Sequence, residues 1–278
     1  MSTGIFGKQG DHMKKIDTER WERRELYDFF SGMSQPFYSV TFQVDVTELY
    51  QYVKQKGLSF YHALVWLCTK AANRVENFRY TVREKEVWLL DERFPSFTEL
   101  KKGAAQFHIV TMSCGEDLQE FCRAAKEKSA AQTSFVDTSS ETDELIYFSC
   151  LPWIELTGLT NERDFDPDDN VPRIAWGKYT EVQGRKKLGM SLEVNHRFVD
   201  GYHVGRFYEE LAGEIAHLNP KKNGREKCSG KRMIFYGALW GRKGSEKNLK
   251  SGTAGGREQD EKGKESGNRM LFQRTSPQ

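Results

Sequence analysis

Apolar and polar residues alternate with a period of two along Phe37 to Val46, which predicts a strand. The pattern then changes to helical spacing. Glu48 to Gln55 reads as one helix capped by Thr47, and Phe60 to Val75 as another whose Leu64, Leu67, Cys68 and Ala71 form a buried stripe. Upstream, Asp17 to Phe30 predicts a short helix capped by Asp17 or Thr18, with Trp21, Tyr27 and Phe30 on one face. Downstream, Phe78 to Leu90 reads as a hairpin turning at Arg83-Glu84-Lys85. Phe107 to Met112 is a further strand, Glu116 to Ala130 an amphipathic helix, and Gln132 to Asp143 a polar stretch without period, hence a surface loop. Leu145 begins a strand that becomes irregular at Pro152. Val171 to Tyr179 and Lys187 to Val194 are two more strands, joined by a turn at Gln183-Gly184-Arg185, and Tyr202 to Leu218 is a closing helix.

Beyond Pro220 no period is sustained, and Lys, Gly, Ser and Glu dominate, so residues 219–278 are expected to be a disordered tail. Only Met233 to Trp240 is apolar there, a candidate interaction segment. Residues 1–13 are polar and Gly-rich and read as a flexible lead, which leaves 14–218 as the folded domain. Charge sharpens this division. The formal charge of +2 hides a tail with 15 Lys and Arg against 6 Asp and Glu, near +9, and a body near −7. An acidic body argues against a nucleic-acid-binding domain. Five cysteines (Cys68, Cys114, Cys122, Cys150 and Cys228), in neither zinc nor Cys-x-x-Cys spacing, read as free thiols. No apolar run reaches the ~20 residues of a membrane span and no signal-peptide core opens the chain, so a cytoplasmic protein without a membrane partner is expected.

The candidate chemistry lies at residues 191–207. Leu192 and Val194 alternate with Glu193 and Asn195 as a strand, and helical spacing resumes after Gly201. Between them stands His196-x-x-x-Asp200-Gly201, a tight strand-to-helix connection. A histidine at such a strand end can serve as a general base, Asp200 can cap the next helix or pair with a distant cation, and Gly201 eases the turn. The longer string His196-Arg-Phe-Val-Asp200-Gly201-Tyr-His203-Val-Gly-Arg-Phe207 resembles the active-site signature of the chloramphenicol acetyltransferases. Further similarity lies in Trp21-Glu-Arg23-Arg24-Glu25, in Phe60-Tyr61, in Phe97-Thr98, and in Ser149-Cys150-Leu-Pro152-Trp153. It covers roughly residues 14–218.

The resemblance implies a two-layer α/β sandwich with a mixed β-sheet packed by helices, assembled as a homotrimer with sites between subunits. It implies acetyl transfer from acetyl-CoA, as cosubstrate and without a metal, to a hydroxyl of chloramphenicol or a similar small aromatic alcohol, an antibiotic-resistance activity. His196 would be the base, Ser149 the donor to the oxyanion, and an Arg23–Asp200 pair the support of the loop. Phe29, Phe30, Tyr38 and Phe107 would line the acceptor pocket, and Tyr61, Trp153, Lys178 and Tyr179 the coenzyme A tunnel. The chain departs from the family at Asn195, where the family has a second His, at Ala175, where it has a Thr that helps at the oxyanion, and at Tyr147, where it has Asn. These departures motivate an alternative, a non-catalytic trimer that binds a small hydrophobic ligand. Asn195-His-Arg-x-x-Asp-Gly also suggests a dihydrolipoamide acyltransferase core, although no lipoyl domain or Ala/Pro-rich linker accompanies it.

Overall fold

The computed structural model describes residues 13–164 and 166–219. All of the expected lead but Met13, most of the basic tail, its Met233–Trp240 segment and Cys228 lie outside the described residues.

The elements follow in the order β1 (Met13–Lys15), α1 (Arg24–Ser31), β2 (Phe37–Asp45), α2 (Thr47–Lys56), α3 (Phe60–Asn73), β3 (Tyr80–Arg83), β4 (Glu86–Leu90), β5 (Phe94–Glu99), β6 (His108–Thr111), α4 (Leu118–Ala131), β7 (Leu145–Leu151), β8 (Arg173–Gly177), β9 (Thr180–Val182), β10 (Arg185–Asn195) and α5 (Gly201–His217). Strands β2-β10-β8-β7-β5-β6 form one sheet in that order, with β9 paired to the start of β10, and β1-β4-β3 form a small second sheet. Strands β5, β7 and β8 run parallel to one another, and the other pairings in the large sheet are antiparallel. The fold is the expected two-layer α/β sandwich with a mixed sheet. No described helix is long and apolar enough to cross a membrane.

Strand β10 organises the sheet. Its even positions Leu188, Met190, Leu192 and Val194 are buried in the core with Phe97, Phe148, Ile174 and Trp176 of its neighbours. Helices α3 and α5 close that core with Leu64, Leu67, Val204, Phe207 and Leu211. The odd positions Gly189, Ser191, Glu193 and Asn195 point to the other face, as a pleated strand requires.

That second face is covered by the connection from β7 to β8. Adjacent parallel strands need a long return, usually a helix; here the described residues of 152–172 make it without a helix or strand. The strap is fastened to β10 residue by residue. A side chain at Gly189 would strike the Leu156 carbonyl oxygen at 1.9 Å, and one at Gly177 the Leu156 nitrogen at 2.6 Å, so the strap crosses where two glycines leave room. Ser191 Oγ donates to Leu159 O at 3.0 Å, and Asn161 N donates to Glu193 at 3.0 Å. Glu193 also pairs with Arg163 at 3.0 Å, and the Arg163 guanidinium lies 3.7 Å from the centre of the Phe37 ring.

Two sequence expectations change. The first helix begins at Arg24, not Asp17, because Asp17 instead accepts from Glu19 N in a local turn at 3.1 Å. The later start places Arg23 at the helix N-cap, where its side chain is drawn away into the loop at His196. Strand β1, which carries no periodic signal in three residues, pairs with β4.

Candidate active site

Asn195 ends β10, and the chain turns tightly: Phe198 N and Val199 N both donate to Asn195 O, at 3.1 and 3.0 Å. His196 sits on this turn, half-buried, with its backbone N donating to Pro36 O at 2.7 Å. Asp200 then caps α5, accepting from Tyr202 N at 3.0 Å, and His203 Nδ1 accepts from Asp200 N at 3.2 Å, which completes a reciprocal cap. Sequence and local structure therefore agree on a rigid junction between strand and helix.

Arg23 grips this junction at three points. It donates Nε to Arg197 O at 2.7 Å, Nη2 to His196 O at 3.0 Å and Nη1 to Asp200 at 2.8 Å. Burial alone would raise the Asp200 carboxyl, but the Arg23 hydrogen bond, His203 and the Arg23 charge hold it below the usual carboxylate value. His196 is lowered from its usual value by burial first and then by the Arg23 charge, against an opposing pull from Asp200. Both causes favour the neutral imidazole, the state in which a base accepts a proton.

The ring itself is held by aromatic contacts. Phe30 stacks on His196 with centroids 3.9 Å apart, and Tyr38 lies tilted at 4.5 Å. Tyr38 donates its hydroxyl to Val199 O at 3.3 Å, and burial, the first of its causes, pushes that hydroxyl up to about 12, so it stays protonated. Phe29 meets Phe30 edge-on at 5.1 Å and is largely exposed. Three of the four aromatics assigned to an acceptor pocket therefore gather at His196. Phe107 does not: it precedes β6, at the opposite edge of the sheet from β2, and packs on Phe135 at 5.5 Å. Phe135 falls in the stretch read from sequence as a polar loop, where one aromatic among polar residues gives no periodic signal.

Ser149 is also distant from His196. It pairs with Ala175 on β8, and Ala175 pairs with Ser191 on β10, five residues before His196. Two strand spacings and five residues of rise separate them, roughly 10 Å across and 17 Å along. The Ser149 hydroxyl makes no side-chain hydrogen bond among the described residues. Ala175 is its immediate ladder neighbour, buried and with no polar side-chain atom to offer.

The four residues assigned to coenzyme A differ in setting. Trp153 is 71% exposed just past β7, and Lys178 is exposed with its backbone N tied to Ile154 O at 2.7 Å. Tyr179 packs against Tyr50 at 5.4 Å, and Lys186 lies 5.2 Å from its ring. These offer an aromatic surface and cations past the ends of the interior strands β7 and β8, a donor set that fits a phosphorylated nucleotide. Tyr61 is set deeper, between Phe97 and Trp176, with its hydroxyl given to Thr98 O at 2.7 Å and pushed up by burial. Its polar atom is already satisfied inside the protein.

Sequence reasoning singled out Asn195 but not its structural role, and missed the other residues that hold the site from behind. Asn195 is buried and donates to Pro167 O and Asp169 O at 2.9 and 3.2 Å, and Arg197 pairs with Asp168 at 2.9 Å. Arg93, wholly buried, donates to the carbonyls of Phe78, Tyr80, Asp143, Leu145 and Asn170, and burial lowers it to about 10. Backbone carbonyl acceptors have no residue identity, so no sequence pattern announces them.

Residues 12–212 match the family model described as CAT, chloramphenicol acetyltransferase. A chloramphenicol acetyltransferase of Clostridium perfringens is 29% identical over 205 residues, spanning 72% of this chain and 93% of that protein. Chloramphenicol acetyltransferase 3 of Escherichia coli is 25% identical over 201 residues, spanning 71% and 94%. A solved chloramphenicol acetyltransferase structure superposes with a TM-score of 0.68 at 25% identity, covering 73% of this chain and 99% of that one. The cubic core of the pyruvate dehydrogenase multienzyme complex shares the fold, with a TM-score of 0.53 at 18% identity over 69% of this chain and 86% of that one.

Proposed function

Since the chain belongs to the chloramphenicol acetyltransferase family of acyltransferases, we propose that residues 14–218 transfer the acetyl group of acetyl-CoA to a hydroxyl of chloramphenicol or a similar small aromatic alcohol, with His196 as general base. The observation that carries this reading is the setting of His196: wedged between Phe30 and Tyr38, on a turn that Arg23 locks at three points, where burial favours the neutral imidazole. A base needs a fixed ring with a free lone pair, and a flat acceptor needs aromatic walls.

The neutral imidazole takes the acceptor's hydroxyl proton as the oxygen attacks the acetyl carbonyl. The tetrahedral intermediate collapses, the C–S bond breaks, and the proton passes from His196 to the departing thiolate. Ser149 donates its hydroxyl to the oxyanion. The separation of Ser149 from His196 within one chain supports a site built from two copies, with His196 from one and Ser149 from the next, and hence a cyclic trimer. Trp153, Lys178 and Tyr179 would receive coenzyme A, and Phe107 would join the acceptor pocket from the neighbouring copy. Asn195 is occupied in holding residues 167–169, so the exchange of the family's second histidine leaves the base intact.

The test is release of free thiol from acetyl-CoA by the purified protein with chloramphenicol, beside His196→Ala. Turnover that the variant loses supports the reading. Chloramphenicol binding without thiol release, by a folded protein, would replace it with the non-catalytic binding module.

A further inference from the structure

Neither ring nitrogen of His196 has a hydrogen-bond partner among the described residues, so no carboxylate orients the imidazole. The ring's direction is set by the turn that carries it and by the rings against it. Arg23 holds the outer side of that turn. The inner side is held by Arg197, the residue that follows the histidine.

The Arg197 side chain is buried, 4% exposed. Its guanidinium pairs through Nη1 with Asp168 at 2.9 Å, donates through Nη2 to Pro167 O, and reaches Asn195 Oδ1 through Nε at 3.4 Å. Its backbone N also donates to Asn195 Oδ1, at 3.0 Å, and its carbonyl accepts from Arg23 Nε at 2.7 Å. The same guanidinium lies 5.5 Å from the centre of the Tyr27 ring. Tyr27 stands three positions before Phe30 on α1, so the two share a helix face, and Phe30 is the ring stacked on His196. Arg197 therefore touches the turn, the end of the strap, and the helix that supplies the stacking ring.

We infer that Arg197, neutralised by Asp168, is the positioning residue of His196, fixing from behind the turn that points the imidazole at the acceptor. The inference rests on the reading of His196 as base. A planar fork suits three acceptors in fixed directions, and a lysine ammonium does not reproduce it. Asp168 is required because an unpaired buried guanidinium is strongly unfavourable.

The test uses the full chain with Arg197→Met, Arg197→Lys and Asp168→Asn. Steady-state kinetics with acetyl-CoA and chloramphenicol are measured beside NMR titration of the His196 imidazole, assigned with His196→Ala. A loosened ring is displaced by a fraction of an ångström to an ångström, so kcat falls roughly 10- to 100-fold in Arg197→Met. KM for acetyl-CoA stays within about twofold, because the cofactor-side residues are not touched. The His196 midpoint rises toward its ordinary value as water reaches the ring. Arg197→Lys does not restore kcat, and Asp168→Asn falls between. A folded Arg197→Met with wild-type kcat and an unmoved His196 midpoint overturns the inference. If that variant does not fold, Asp168→Asn decides on the same two readouts, since Asp168 is half-exposed and its loss leaves no cavity. If His196→Ala keeps wild-type turnover, the base reading fails by itself. The titration then decides alone whether Arg197 sets the ring: an unmoved midpoint overturns the inference, and a raised one sustains it.

Discussion

Arg23 and Asp200 lie 177 positions apart in sequence and 2.8 Å apart in the fold. The pair closes a clasp in which one guanidinium also holds the His196 and Arg197 carbonyls. Arg23→Met takes one donor from each of three acceptors in a half-buried place. A hydrogen bond to a charged group contributes about 1.5–3 kcal/mol, so the variant is expected to lose about 3 kcal/mol in urea unfolding. Asp200→Asn should cost less at pH 7, and its deficit should depend on pH. The folded-state value of Asp200 is depressed, so its stabilisation is full above the ordinary aspartate value and is lost as pH falls through the folded one. The gap between wild type and Asp200→Asn should therefore begin to narrow below about pH 4 and close as pH passes below the depressed folded-state value.

The rate should carry the signature of a depressed histidine. The base works when neutral, so kcat/KM falls as pH drops through the folded-state value of His196, which lies below the ordinary value of about 6.5. Burial is the larger cause and the Arg23 charge the second. Arg23→Met removes the second, so the acid limb of its pH–rate profile should move to higher pH. An acid limb that stays in place would show that the Arg23 charge does not act on the base.

Gly189 and Gly184 make a matched pair for the strap. An alanine at Gly189 places its Cβ 1.9 Å from the Leu156 carbonyl oxygen, which is backbone and has no rotamer to yield. Gly189→Ala should lower stability by about 1–3 kcal/mol or more, the range for overpacking, and Tm with it. Gly184 has a φ of +72° but open space around it. Gly184→Ala should cost only about 1 kcal/mol of backbone strain. Equal losses for the two, in differential scanning calorimetry, would contradict a close crossing of strap and strand.

A site built from two copies predicts complementation. His196→Ala and Ser149→Ala should each be nearly inactive alone. Refolded together at equal ratio, a cyclic trimer regains one intact site whenever both variants are present, which is roughly a quarter of wild-type activity on statistical mixing. Wild-type subunits diluted with either variant provide the calibration. Mixtures no more active than their parents would mean that His196 and Ser149 do not meet across copies.

Much of the fold was legible because burial imposes periods. The even positions of β10 from Leu188 to Val194 are core residues, and their spacing alone identifies the strand; the same is true of α3, whose buried stripe includes Leu64, Leu67, Cys68 and Ala71. The 191–207 stretch was legible as a strand, a tight turn and a helix because Asp200 and Gly201 are local punctuation with local hydrogen bonds. Helix α1 was misplaced at its start because Arg23 is governed by a loop it meets only after folding.

By itself, then, the sequence determined what depends on neighbours along the chain: the periods of strands and helices, the capped turn at Asp200, and the presence of a histidine at a strand end. Only the tertiary structure decided how that histidine is held. Arg23, Asp168 and Arg197 come from three distant segments; Asp168 pairs with Arg197, and the two arginines donate to the carbonyls of Arg197, His196 and Pro167, backbone groups that look alike in every residue. It also decided that Ser149 lies far from His196 in the same chain, because the distance between them is set by strand order and register, which are long-range pairings that no local pattern encodes.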